Sequence, residues 1–240
     1  MNTNGNLYTF IYASVLVIVV AAALSFTALK LQPIQEMNVM NEKMQNILAS
    51  VRIDASRDNA HQVFEKFITR SFVVNAEGEE VQGKKAFDVN LKQEYKKKLE
   101  DRELPLYEAT LDDGSKKLII PLLGKGLWGP IWGYLALDED YNTVYGAVFD
   151  HKSETPGLGA EINKDWFQKP FTGKTIYDDK GKLIGIEVVK GGKAAAKSAE
   201  EYDKHGVDAI SGGTITSKAV QTMIYDCLSS YKVYVEKNKK

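Results

Sequence analysis

From Leu7 to Leu29 the chain is almost unbroken apolar sequence, and no charged side chain precedes Lys30. At about 1.5 Å per residue such a run makes a helix of roughly 35 Å, long enough to cross the hydrocarbon core of a bilayer. A cleaved secretory signal is the competing reading, with Ala21-Ala22-Ala23 as a tolerable cleavage pattern. The absence of Lys or Arg ahead of the run, and its length, favour a retained single-pass anchor over residues 1–31. Its direction across the membrane is poorly encoded, because only Lys30 lies close to the span and a long following domain is largely exempt from the positive-inside rule.

Beyond Pro33 the pattern changes period. Met37, Met40, Met44, Ile47, Leu48 and Val51 recur at helical spacing, predicting a juxtamembrane helix or linker over residues 32–58. The remaining residues, 59–240, read as one folded domain. A short amphipathic helix is expected from Asn59 to Thr69, then a strand over Ser71–Asn75 ending at the Glu77-Gly78 turn. Lys92–Glu103 is rich in Lys and Glu and reads as a solvated surface excursion. From Lys116 the pattern becomes β, with runs at Lys117–Leu123, Gly133–Leu137, Val144–Asp150, Gly173–Tyr177 and Leu183–Val189. Turn residues at Asp138–Asn142 and Asp178–Gly181 separate them. At the far end Ala219, Val220, Met223, Ile224, Cys227 and Leu228 form one apolar helical face. Helices at both ends and strands between predict an α+β fold, a transmembrane helix followed by a domain with a largely antiparallel sheet.

Composition narrows the chemistry. A net charge of −1 over 240 residues gives no case for nucleic acid. One cysteine, Cys227, excludes an internal disulfide and a Cys-ligated cluster, and His61, His151 and His205 form no metal-ligand spacing. No Walker A or Rossmann glycine pattern follows a strand.

Three stretches carry candidate chemistry. Asp208-Ala-Ile-Ser211-Gly212-Gly213-Thr214-Ile-Thr216-Ser217 leads into the C-terminal helix. Hydroxyls, glycines and a helix N-terminus together seat a phosphate through unpaired N–H groups, although a plain capped helix reads the same. Gly124-Lys-Gly126-Leu127-Trp128-Gly129-Pro130-Ile131-Trp132-Gly133 sets two tryptophans among glycines, suited to a flat ligand or to a tryptophan-anchored core turn. His151-Lys-Ser-Glu154-Thr155-Pro156-Gly157-Leu158-Gly159-Ala160-Glu161 follows a strand, and Glu154 and Thr155 offer polar groups at a forced turn, as an ordinary loop also does.

Asp-x-x-Ser-Gly-Gly-Thr resembles the flavinylation motif of the covalent-FMN-binding domain family, in which the last Thr is joined to FMN through a phosphoester. That Thr maps to Thr214, with Thr216 as second choice. Gly213 stands where Ala is usual, a change expected to remove a methyl without adding a clash. Together with Gly-Lys-Gly-Leu-Trp at 124–128, the Glu-Thr-Pro-Gly-Leu-Gly run and the anchor, the motif order resembles the C-subunit family of Na+-translocating NADH:quinone reductases. The G-subunit family of related electron-transport complexes is the nearest rival. The resemblance implies a flavoprotein that carries electrons within a bacterial inner-membrane complex coupling NADH oxidation and quinone reduction to Na+ export. Its partners would be the other subunits, the membrane and a flavin transferase, with the FMN domain on the periplasmic side.

Under that resemblance Thr214 is an attachment point, Ser211, Gly212, Gly213 and Thr216 surround the phosphate, and no residue is assigned as catalytic. Gly126, Leu127 and Trp128 on one side, with Glu154, Thr155, Leu158 and Gly159 on the other, are expected around the flavin ring. Asp208 is expected to order the turn or to be read by the transferase, since its charge would repel a phosphate. A reading of a different class is a membrane-anchored binding or assembly module without flavin.

Overall fold

Leu118, Ile119, Ile120 and Leu122 are all buried, although side chains alternate between the two faces of a strand. Such a run requires cover on both faces of its sheet, and the computed structural model, which describes residues 5–239, provides it. Five strands form an antiparallel meander in sequence order: β1 (Ile68–Val74), β2 (Leu104–Thr110), β3 (Lys116–Lys125), β4 (Pro130–Leu137) and β5 (Val144–His151). Leu118, Ile120 and Leu122 face one core with Leu106, Leu135 and Phe149. Ile119 faces the other, with Val73, Tyr107, Ala109 and Ala136.

The first core is roofed by the C-terminal helix, α6 (Thr214–Asn238). Its buried positions Val220, Met223, Ile224, Cys227, Leu228 and Tyr231 continue the apolar stripe read in the sequence. Phe167 and Phe171 extend this core, the first from a short helix, α4 (Asp165–Gln168). The second core is closed by the end of the N-terminal helix, through Met44, Ile47 and Leu48, and by α2 (Ala60–Phe67) through Phe64.

The N-terminal helix, α1 (Asn6–Ser50), departs from the expected pair of helices. It runs unbroken through Pro33 for 45 residues, about 68 Å. Proline removes one backbone donor there, but the flanking residues remain helical. Two compact units divide the chain at Lys43/Met44, so Met44–Ser50 belongs with the folded domain rather than with a linker. In the first unit the apolar run through Leu29 is exposed, and the helix is long and apolar enough to cross a membrane by length and composition. Residues 1–4 of the expected anchor lie outside the described residues.

Other differences have local causes. β2 was not signalled by the sequence, because Pro105 and the charged run before it mask four buried positions, Leu104–Tyr107. The Lys92–Glu103 segment is surface, yet a turn of helix, α3 (Leu91–Glu94), leads into it, and Leu91 and Tyr95 pack on the first core. The run Gly173–Tyr177 makes only isolated bridges, Thr143 with Thr175 and Tyr177 with Leu183. Only Glu187–Val189 of the next run is a strand, β6, and its partner is parallel. That partner, β7 (Gly206–Asp208), follows α5 (Ala199–His205) and leads straight to the Ser-Gly-Gly-Thr turn.

Candidate functional site

The Asp208–Ser217 segment is held at both ends before it presents anything. At its start Tyr202, on α5, donates a short hydrogen bond to Asp208, and Gly192 packs so closely that any Cβ there would meet the carboxylate. Burial, and then that bond, pushes the Tyr202 hydroxyl up to about 12. At its end Ser217 accepts from the Ile210 N–H (3.0 Å) and donates to the Gly213 carbonyl (2.8 Å), closing the turn on itself. Gly212 stands at φ +76°, a left-handed conformation that glycine adopts without strain.

Thr214 opens α6, with Gly213 before it. The first bond of the ladder runs from the Ser217 N–H to the Gly213 carbonyl, so the N–H groups of Thr214, Ile215 and Thr216 lie ahead of it. The two threonines differ sharply. Thr216 is 1% exposed and its hydroxyl donates to Glu154 Oε2 at 2.6 Å. Thr214 is half-buried, and among the described residues its hydroxyl makes no hydrogen bond.

Glu154 is where the three stretches meet. It is 4% exposed; its second oxygen, Oε1, accepts from the Trp128 N–H at 2.8 Å, while its own N–H donates to His151 Nδ1. Gly126 and Gly159 crowd the carboxylate, where an added Cβ would lie 2.5 and 2.6 Å from its two oxygens. Glu154 therefore lies beneath the site as a buried junction. The Thr155 side chain is exposed, while its carbonyl takes the N–H groups of Leu158 and Ala160 to shape the loop. Gly213 packs on the Leu158 backbone, and a Cβ there would stand 2.8 Å from the Leu158 carbonyl oxygen. Glycine at 213 thus adds no clash, as expected, and the close approach of the Glu154–Gly159 loop leaves no room here for the methyl of the usual Ala.

Above this junction the surface is apolar and open. Trp128 is 68% and Ile215 63% exposed, and Leu127 and Leu158 are also exposed. Trp128 is thus not a core anchor. Ser211 and Gly212 lie exposed at the lip. Ile215 and Tyr202 were not singled out in the sequence, and His151 entered only as the first residue of its stretch and for its lack of metal-ligand spacing. Ile215 falls off the buried stripe of α6 and was legible as an exposed apolar residue beside the motif; the other two act through contacts only six and three residues away, Tyr202 with Asp208 and His151 with Glu154, which no motif signals.

Cys227 lies away from this site. Burial pushes its thiol up to about 11, and it sits against the main chain of Leu123 on β3, contacting both its N–H and its carbonyl.

Comparison with known proteins follows the same outline. Residues 126–229 match the model of the FMN-binding domain family, a span containing all three converging stretches. The chain is 33% identical over 207 residues to the C-subunit of the Na+-translocating NADH-quinone reductase of Neisseria meningitidis, covering 80% of this chain and 77% of that one. It is 31% identical over 219 residues to the corresponding C-subunit of Vibrio vulnificus, covering 85% and 83%. Among solved structures, the C-subunit of the same reductase from Parabacteroides distasonis superposes with a TM-score of 0.75 at 40% identity, covering 85% of this chain and 96% of that one. NqrC from Shewanella oneidensis gives 0.70 at 26% identity, covering 84% and 99%. The chain belongs to the C-subunit family of Na+-translocating NADH-quinone reductases.

Proposed function

We propose that this chain carries electrons as the flavoprotein subunit of a Na+-translocating NADH:quinone reductase, with one FMN joined through a phosphoester to Thr214. The observation that carries this reading is the contrast at the start of α6: a free hydroxyl on Thr214, beside an apolar shelf, and a buried, committed hydroxyl on Thr216.

The residues present fit such a group. The three N–H groups ahead of the α6 ladder, at the positive end of the helix dipole, suit the single negative charge that a phosphodiester retains. Gly126 and Gly159 close on the Glu154 side chain and Gly213 on the Leu158 backbone, while the shelf of Leu127, Trp128, Leu158 and Ile215 stays open to a flat ring system. FMN would supply the redox chemistry, accepting and passing on electrons; the chain supplies attachment, orientation and partial shielding. Among the described residues no side-chain base hydrogen-bonds the Thr214 hydroxyl, so it serves as an acceptor for a separate flavin transferase and not as a self-activated nucleophile. Asp208, tied to Tyr202, orders the turn that presents Thr214.

In this reading residues 1–31 anchor the chain in the bacterial inner membrane, the FMN domain lies on the periplasmic side, and the other subunits couple electron flow to Na+ export. The test is co-expression of Thr214→Ala and Thr216→Ala variants with a competent flavin transferase, read by in-gel flavin fluorescence after denaturation. Thr214→Ala is expected to be dark with an unchanged unfolding temperature, and Thr216→Ala to remain fluorescent at lower yield. Persistent fluorescence in Thr214→Ala would refute the assignment.

A further inference from the structure

Glu154 is a buried carboxylate that forms no ion pair among the described residues. Its two oxygens each receive one donor, the Thr216 hydroxyl and the Trp128 N–H, an arrangement matched to the ionised form, which only accepts. Burying a charge without a cation is costly, so a chain selected for stability alone would place an amide or an apolar group there. The two donors also belong to different elements. One lies in the first turn of α6, two residues after Thr214, and the other in the turn that carries the exposed Trp128 ring.

We propose that Glu154, held between the Thr216 hydroxyl and the Trp128 amide, is a positioning residue that locks the Trp128 turn to the attachment helix and uses its buried charge to keep the flavin's reduction potential low. This rests on the reading that FMN is carried on Thr214. Adding electrons to the ring adds negative charge, and a fixed, buried carboxylate beneath the shelf opposes that addition. The Thr216 hydroxyl spreads part of the carboxylate's charge, so removing it strengthens the opposition. Two substitutions at one hydrogen bond therefore move the potential in opposite directions.

The test uses the full flavinylated chain in detergent and measures the flavin midpoint potential by spectroelectrochemical titration. Glu154→Gln keeps the shape and removes the charge, and a shift to more positive potential is expected. Thr216→Val keeps the charge and removes a donor, and a shift to more negative potential is expected. Unchanged potentials, or shifts of the same sign, would overturn the proposal. The lock has a readout that needs no flavin: in a Thr214→Ala background, Glu154→Gln or Thr216→Val should speed hydrogen exchange at the Trp128 amide by about tenfold. An unchanged Trp128 exchange rate would overturn the positioning role. Should Glu154→Gln fail to fold, Thr216→Val decides both arms. A parent chain that lacks covalent flavin would overturn the attachment reading instead, and the amide measurement would still decide whether Glu154 forms the lock.

Discussion

The two faces of the five-stranded sheet bury their apolar residues to different degrees. On one, the last turns of α1 and α2 shut away Ile47, Leu48, Phe64 and Ile119, so the sequence's apolar positions and its core coincide. On the other, α6 seals the sheet along most of its length, but at its first turn Leu127, Trp128, Leu158 and Ile215 stay in the open. Directly beneath that open shelf, Gly126 and Gly159 pack on the buried carboxylate of Glu154, and Gly213 packs on the Leu158 backbone. An exposed apolar shelf directly above a buried carboxylate marks that end of the face as the candidate ligand surface.

The largest effect that tests this contrast lies on the sealed face. Leu48→Ala should cost about 2–5 kcal/mol, because the surrounding side chains only partly fill the cavity. Thermal unfolding of the detergent-solubilised chain checks it, and covalent flavin should still be present on the folded fraction. A loss under about 1 kcal/mol would mean that the end of α1 is only loosely docked.

Gly213→Ala comes next. A Cβ there meets the Leu158 carbonyl at 2.8 Å, so the Glu154–Gly159 loop must move. A cost of about 1–3 kcal/mol is expected, together with a changed flavin absorption spectrum. A fully stable variant with a parental spectrum would show that the loop yields freely.

Tyr202→Phe sharpens the role of Asp208. The Tyr202 hydroxyl is pushed up to about 12, against about 10 in an unfolded chain. A raised value in the folded state means that its contribution is fully present below about pH 10 and is lost as pH rises through about 12. Removing the hydroxyl should cost about 0.5–1.5 kcal/mol at pH 7 and reduce the fall in stability above about pH 10, read as denaturation midpoints at several pH values.

Smallest in stability is Trp128→Ala, expected within about 0.5 kcal/mol for an exposed side chain. Its mark should be optical, as altered flavin absorption or fluorescence with the Thr214 bond intact. An unchanged spectrum would remove Trp128 from the flavin's surroundings.

Where local pattern and tertiary structure agree, the fold is legible in the sequence. The stripe from Val220 to Leu228, the strands β3 to β5 and the turn between β4 and β5 all carry their own periodicity or turn chemistry. β2 was hidden because Pro105 is demoted by strand propensity, although the pairing of β2 with β3 begins only at Tyr107. The continuity of α1 through Pro33 contradicts the local preference of proline. The parallel pairing of β6 with β7 has no local signal, because α5 and its approach separate the two strands. At the site, the three glycine-bearing stretches were legible as motifs, but not their meeting point. That Glu154 joins Thr216 to Trp128 follows from contacts between residues far apart in sequence, which spacing does not encode.

The most direct measurement is fragmentation mass spectrometry of the tryptic peptide His205–Lys218, which contains Thr214 and Thr216, from protein made with a competent flavin transferase. An FMN phosphoester on Thr214 is the predicted result. An adduct on Thr216 would contradict the assignment, because that hydroxyl is buried and given to Glu154, and a peptide with no adduct would contradict covalent attachment in this segment altogether.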